Sequence, residues 1–182
     1  MSKIIRMERV TSWGRALNAA RRTVGKRPLD REPSKSWEAK MLLAEHSPIR
    51  LVEFEWTWIT VHLVRHHEGC EKFIHSQRED RRNLIVPRDK LEQGSLNDMD
   101  MTANAQALIN ISKVRLCMKA SKETRRAWRQ VIDAVREIDP VMADKCVPSC
   151  VYRGFCLEGC GYDKTNEFQE VLKQYRKTDY EN

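Results

Sequence analysis

Apolar and polar residues alternate along "VEFEWTW", residues 52–58. Val52, Phe54, Trp56 and Trp58 are separated by Glu53, Glu55 and Thr57. Successive side chains of a strand point to opposite faces, so this period of two predicts a half-buried strand. Its acidic side meets solvent or a partner. Residues 60–67 either continue the strand or turn into a short helix. A second short strand is expected at 83–86, ended by Pro87.

Elsewhere the pattern is helical. "TSWGRALNAARRTVG" reads as a helix capped by Thr11 or Ser12 and ended by Gly25. "KRPLDREPSK", with its two prolines, is a loop. "SKSWEAKMLLAEH" is a second helix capped near Ser34 or Ser36, with Trp37, Met41 and Ala44 on one face, and "SPIR" breaks it. "DMDMTANAQALINISKVRLCMKA" is expected to be a helix begun by Asp98 or Asp100. "SKETRRAWRQVIDAVREID" is another, with Ser121 as N-cap, Thr124 where Glu or Gln would complete a capping box, and Pro140 as its bound. Helices around a small sheet without β-α-β alternation predict an α+β fold, the sheet mostly antiparallel.

The 182 residues suit one core-forming domain, 1–145, followed by a cysteine-rich segment, 146–182. No apolar run reaches the length of a membrane helix. The opening "MSKIIRMERV" does not read as a signal peptide, so a cytoplasmic protein is expected. The net charge of +7 favours anionic partners, but basic and acidic residues are interleaved, as in "QREDRRN", and no nucleic-acid-binding tail is visible.

Reactive side chains crowd residues 61–78, "VHLVRHHEGCEKFIHSQR". A metal is poorly served there. Adjacent His66 and His67 diverge in either regular structure, and His62 with His66 lacks the carboxylate of an HExxH helix. Cys70 after Gly69 reads as a small turn residue rather than a nucleophile. Anion binding fits better: Arg65 and Arg78 supply two guanidinium forks and Ser76 a hydroxyl.

Arg65-His66-His67, eight residues, then Ser76-Gln77-Arg78 resembles the signature of the flavin-dependent thymidylate synthases. That family carries Arg-His-Arg, seven or eight residues, a Ser, and an Arg two positions on. Its following helix has Asn-Ala-Arg, an Asn and an Arg; "NAQALINISKVR" matches with Asn104, Ala105, Asn110 and Arg115, with Gln106 in place of the first Arg. "EHSPIR" resembles the family's turn before a strand, with Ser47 and Pro48 in place and Arg50 where an acid is usual. "LNAARRT" resembles its N-terminal helix. The blocks run in the family's order from about residue 12 to 130.

The resemblance implies a homotetramer with active sites between subunits. It implies FAD as cofactor, NADPH and methylenetetrahydrofolate as co-substrates, and dUMP methylated to dTMP. Carried over residue by residue, Ser47, Arg65, His66, His67, Asn104 and Asn110 would contact flavin. Arg65, Ser76, Gln77, Arg78 and Arg115 would hold the nucleotide, with Arg115 stabilising the ionised uracil imide. An arginine keeps its charge at any useful pH, which suits that last role.

The chain departs from the family in two places. His67 stands where the third signature residue is Arg. Only 25 residues separate Arg78 from Asn104, without the family's phosphate-binding Arg and Leu-Pro turn; Arg81, Arg82 and Arg88 are the candidates to replace that Arg. A related pyrimidine-nucleotide-binding or one-carbon-transfer protein without synthase activity is therefore the alternative expectation. The cysteines add another. Cys146, Cys150, Cys156 and Cys160 form a Cx3C-x5-Cx3C pattern, which reads either as a four-thiolate zinc site or as free thiols packed around Tyr152 and Phe155. With zinc, a small nucleic-acid-binding protein is the third expectation.

Overall fold

The structure, a computed structural model, describes residues 3–62, 73–78 and 96–181. The strand expected at 83–86 lies outside the described residues. Four strands, β1 (Lys3–Arg9), β2 (Glu53–His62), β3 (Phe73–Arg78) and β4 (Leu96–Asn104), form one sheet in the order β1-β2-β4-β3. Each neighbouring pair is antiparallel. The helices are α1 (Trp13–Thr23), α2 (Lys35–Leu43), α3 (Ala105–Arg115), α4 (Lys122–Ile138), α5 (Pro140–Lys145), α6 (Ser149–Arg153) and α7 (Asn166–Arg176). The fold is α+β.

Alternation on β2 does what the pattern predicts. Phe54, Trp56 and Trp58 are buried and pair with Ala103, Met101 and Met99 of β4, which are buried too. The other face is polar: Glu55 lies opposite Thr102, and Thr57 donates to Asp100 at 2.6 Å. Arg6 and Glu8 of β1 pair there at 2.7 Å.

Two parts of the sequence reading are corrected. Residues 98–104 are strand, not the first turns of a helix, and the helix cap is Asn104 rather than Asp98 or Asp100. The physical reason is visible in the chain: Met99, Met101 and Ala103 alternate with Asp98, Asp100 and Thr102, and pairing with the β2 tryptophans buries all three apolar residues at once. β1 is an additional strand, its alternation broken by a register shift between Ile4 and Arg6. Ser34 and Ser121 do cap α2 and α4, accepting from the backbone N–H of Trp37 and Thr124 at 3.2 Å each.

On the apolar face of the sheet, α4 contributes Trp128, Val131, Ile132 and Val135 to the core. Trp56, Trp58 and Trp128 meet edge-to-face in a triangle, with ring centroids 6.1–6.2 Å apart. Trp128 donates its indole N–H to Ser112 Oγ at 2.9 Å, which ties α4 to α3. Such aromatic pairs add about 1 kcal/mol each to the area they bury.

Two polar fixtures join the helical layer to the sheet. Asp139, wholly buried, accepts from Trp13 Nε1 at 2.7 Å, Arg9 Nη1 at 3.1 Å and the backbone N–H of Met142 at 3.1 Å. It thus links α1, β1 and the start of α5. The second is a strap. The buried ammonium of Lys145 donates to the carbonyls of Tyr175 and Lys177 at 2.7 and 2.6 Å. Beyond it, the backbone N–H of Tyr180 donates to Ser36 Oγ at 3.2 Å, and the Tyr180 hydroxyl donates to Asp144 at 3.0 Å. A smaller hydrophobic cluster of Val147, Cys150, Val151, Phe168 and Tyr175 lies under α6 and α7, apart from the main core.

Candidate functional site

The turn from β4 into α3 is where several predicted side chains gather. Asn104 ends the strand and caps the helix: its side-chain oxygen accepts from the Ala107 N–H at 2.8 Å, and the residue is 2% exposed. The next N–H, of Ala105, donates to the Val52 carbonyl at 2.8 Å and fixes the helix start beside β2. Ser47 opens a 3-10 turn, Ser47–Leu51, that packs on α3. Thr11 locks the far end of that turn, donating to the Leu51 carbonyl and accepting from Glu53 N–H, both at 2.7 Å.

Glu45 organises this corner. It follows α2 with φ +45°, a left-handed conformation that costs a side-chain-bearing residue about 1–2 kcal/mol. Its carboxylate takes Lys113 Nζ at 2.5 Å and the Gln106 amide N–H, and it is within hydrogen-bond reach of the Tyr152 hydroxyl. Burial acts to raise its pKa; the hydrogen bonds from Lys113 and Gln106 and the Lys113 charge outweigh that and hold it below the usual carboxylate range. Lys113 also sits over the Tyr152 ring, 3.7 Å from its centroid, so α6 is anchored to α3.

A carboxylate only accepts, so Gln106 must turn its NH2 toward Glu45. The same NH2 reaches Asn110 Oδ1 at 3.3 Å. Asn110 therefore has its oxygen engaged within the protein and its two amide hydrogens left to donate. Among the described residues, no hydrogen-bond partner meets the buried Gln106 Oε1. Arg115 is half-buried at the end of α3.

The residues expected to hold a nucleotide are placed differently. On β3, Ser76, Gln77 and Arg78 lie opposite Asp100, Met99 and Asp98 of β4. At roughly 3.3 Å per residue, Asp100 is about 13 Å and Asp98 about 20 Å along the strand from Asn104. One chain thus brings Ser47, Asn104 and Asn110 into one corner and sets Ser76–Arg78 along the neighbouring strand. Arg65, His66 and His67, with Cys70 and the candidates Arg81, Arg82 and Arg88, lie outside the described residues.

The four thiols proposed for zinc are not gathered around one point. Cys146 is buried in the main core beside Ser112, where burial pushes its thiol up to about 12. Cys150 belongs to the smaller cluster, Cys156 packs against that same cluster, and Cys156 and Cys160 touch each other in a partly exposed loop. Among the described residues, no three His, Cys, Asp or Glu side chains are grouped to hold a metal. A cavity of about 550 Å3, lined by residues that include Arg129, Arg136, Asp144 and Gln174, lies between α4, α5 and α7, and none of Ser47, Asn104 or Asn110 lines it.

Glu45 and Lys113 were not singled out from the sequence, and Tyr152 entered only as a packing neighbour of the cysteines. The one signal was Gln106, which breaks the Asn-Ala-Arg pattern and is here the partner of Glu45.

Among the described residues no helix is long and apolar enough to cross a membrane. No family model matches the chain, and no curated protein does. Among solved structures it is similar to the UMP/dUMP methylase PolB from Streptomyces cacaoi, whose crystal structure holds 5-Br dUMP. The TM-score is 0.59 at 12% identity, over 80% of this chain and 93% of that one, and the two chains share a fold.

Proposed function

We propose that this protein methylates a uracil nucleotide, dUMP to dTMP, as a relative of the flavin-dependent thymidylate synthases. The observation that carries the reading is the fold shared with a UMP/dUMP methylase over 93% of that protein's length. The ordered motif blocks from Ser47 to Arg115 support it independently.

The α3 corner fits a flavin. Asn110 offers amide hydrogens because Gln106 occupies its oxygen, and Asn104 offers its own because its oxygen caps α3. Donors of this kind suit the carbonyl-bearing edge of an isoalloxazine ring. FAD would supply hydride chemistry, with NADPH as reductant and methylenetetrahydrofolate as the one-carbon source. Ser47, Asn104 and Asn110, with Arg65, His66 and His67, would hold and orient it. Ser76, Gln77, Arg78 and Arg65 would bind the nucleotide, and Arg115 would stabilise negative charge on the uracil imide without titrating. The separation between the α3 corner and Ser76–Arg78 favours a site completed by a second copy, in a homotetramer. A cytoplasmic location belongs to the same reading.

Absorption spectroscopy and titration test it. Purified protein is expected to show the yellow bands of bound flavin or to take up added FAD. It should bind dUMP and restore growth of a thymidine auxotroph. Binding of dUMP and FAD without growth would indicate a nucleotide-binding relative that has lost turnover. Binding of neither would overturn the assignment.

A further inference from the structure

The loop between α6 and the 3-10 turn Tyr162–Lys164 has no part in that reaction. It carries "CLEGC", residues 156–160, with glycines in left-handed conformations at 154, 159 and 161 (φ +87°, +61° and +80°). These turns fold the loop back so that Cys156 Sγ and Cys160 Sγ stand 3.4 Å apart, both partly exposed. The backbone N–H of Cys160 is the largest influence on the Cys156 sulfur, followed by the Cys160 side chain; the N–H groups of Glu158 and Gly159 add to it. Together they draw the thiol below its ordinary pKa against the opposing effect of burial. The backbone N–H of Cys156 is itself held by Asp163 Oδ2 at 3.1 Å, which braces the loop.

We propose that Cys156 and Cys160 form a dithiol modification site that closes to an intramolecular disulfide by exchange with a low-molecular-weight disulfide. Cys156, as thiolate, attacks one sulfur of that disulfide; the S–S bond breaks, one small thiolate leaves and a mixed disulfide forms on Cys156. Cys160 gives its proton to water and attacks the Cys156 sulfur. The mixed bond breaks and the second small thiolate leaves. The pair is oxidised by two electrons and the small disulfide is reduced to two thiols, so the exchange balances.

Three features select this pair. The sulfurs need only close from 3.4 Å to the bonded distance of about 2.05 Å. The loop has room to do so, because a Cβ placed at Gly159 or Gly161 would meet nothing within 4 Å. The buried thiols of Cys146 and Cys150, 3% and 8% exposed, are shielded from a solution disulfide.

The test is treatment of the full chain with oxidised glutathione, followed by acid quench, alkylation, intact mass and peptide mapping. The wild-type protein is expected to lose two hydrogens, with Cys156 linked to Cys160. Cys160→Ser should stop at one glutathione adduct on Cys156. Cys156→Ser should form no internal disulfide and take up glutathione at least about tenfold more slowly. In denaturant the selectivity for this pair should vanish. First reaction at another cysteine, a 156–160 pair that stays reduced, or stoichiometric zinc held by these thiols in untreated protein would each overturn the proposal.

Discussion

Glu38 is expected to make the protein less stable as pH rises from about 4.5 to 7. It lies in the first turn of α2, 1% exposed, with both oxygens on Lys35 Nζ at 3.1 and 2.9 Å. Burial dominates and pushes its pKa from 4.5 to about 7; Lys35 opposes the shift, and the charge of Asp139 adds to it. In the unfolded chain the carboxyl loses its proton near 4.5, whereas in the folded chain it keeps it to about 7. Between those values the folded state binds more protons, so stability falls as pH rises. The contribution is complete below about 4.5 and gone above about 7. At about 1.4 kcal/mol per unit, the 2.5-unit interval amounts to roughly 3 kcal/mol. Glu38→Gln carries no such proton. Urea unfolding of both proteins, followed by tryptophan fluorescence, should give a midpoint difference that changes between pH 4.5 and 8 in favour of the variant. With a slope of about 2 kcal/mol per M, the change is about 1.5 M. Subtracting one protein from the other removes the contributions of every other titrating group. Midpoints that keep a constant separation across that range would refute the reasoning.

Asp139→Ala removes the acceptor of Trp13, Arg9 and Met142 in a dry site, so unfolding should show a loss of about 3–5 kcal/mol. Asn104→Ala should lose about 1 kcal/mol of stability with the helix cap. Asn104→Ser should keep the cap without burying a charge and lose less stability than Asn104→Ala, yet lose FAD affinity by tenfold or more because the amide donors are gone; flavin titration of the two variants separates these effects.

What could be read from the chain depended on how local the deciding interaction is. β2 was legible because large apolar residues alternate with acids over Val52–Trp58, and no helix buries such a pattern. The residues Asp98–Asn104 alternate too, but they run directly into a helix of Ala, Leu and Ile, whose period extends backward over Met and Ala. Only the tryptophans opposite, more than 40 positions away, decide for strand. The Ser34 and Ser121 caps were legible because a cap acts over three residues. Glu45 was not: its left-handed backbone is ordinarily a glycine's, and its partners Gln106 and Lys113 are 61 and 68 positions away. The spacing of the cysteines showed a pattern without a path. A loop turned by three glycines brings together Cys156 and Cys160, and α5 takes Cys146 into the core instead.

The strap over Lys145 carries a consequence for the order of folding. Ser36 and Tyr180 meet across 144 positions, so their contact closes nearly the whole described chain into a loop. An open loop of that length costs about 4 kcal/mol in closure entropy, more than two hydrogen bonds return. The contact therefore forms only after the sheet and α5 have already brought its two ends near each other. On the ribosome, α2 is made long before residue 180 and must wait with Ser36 uncovered, whereas Lys145 precedes Tyr180 by only 35 positions. The strap is then the last part to close and the first to open, and the backbone amides of 177–180 should exchange with solvent while the tryptophan triangle stays protected.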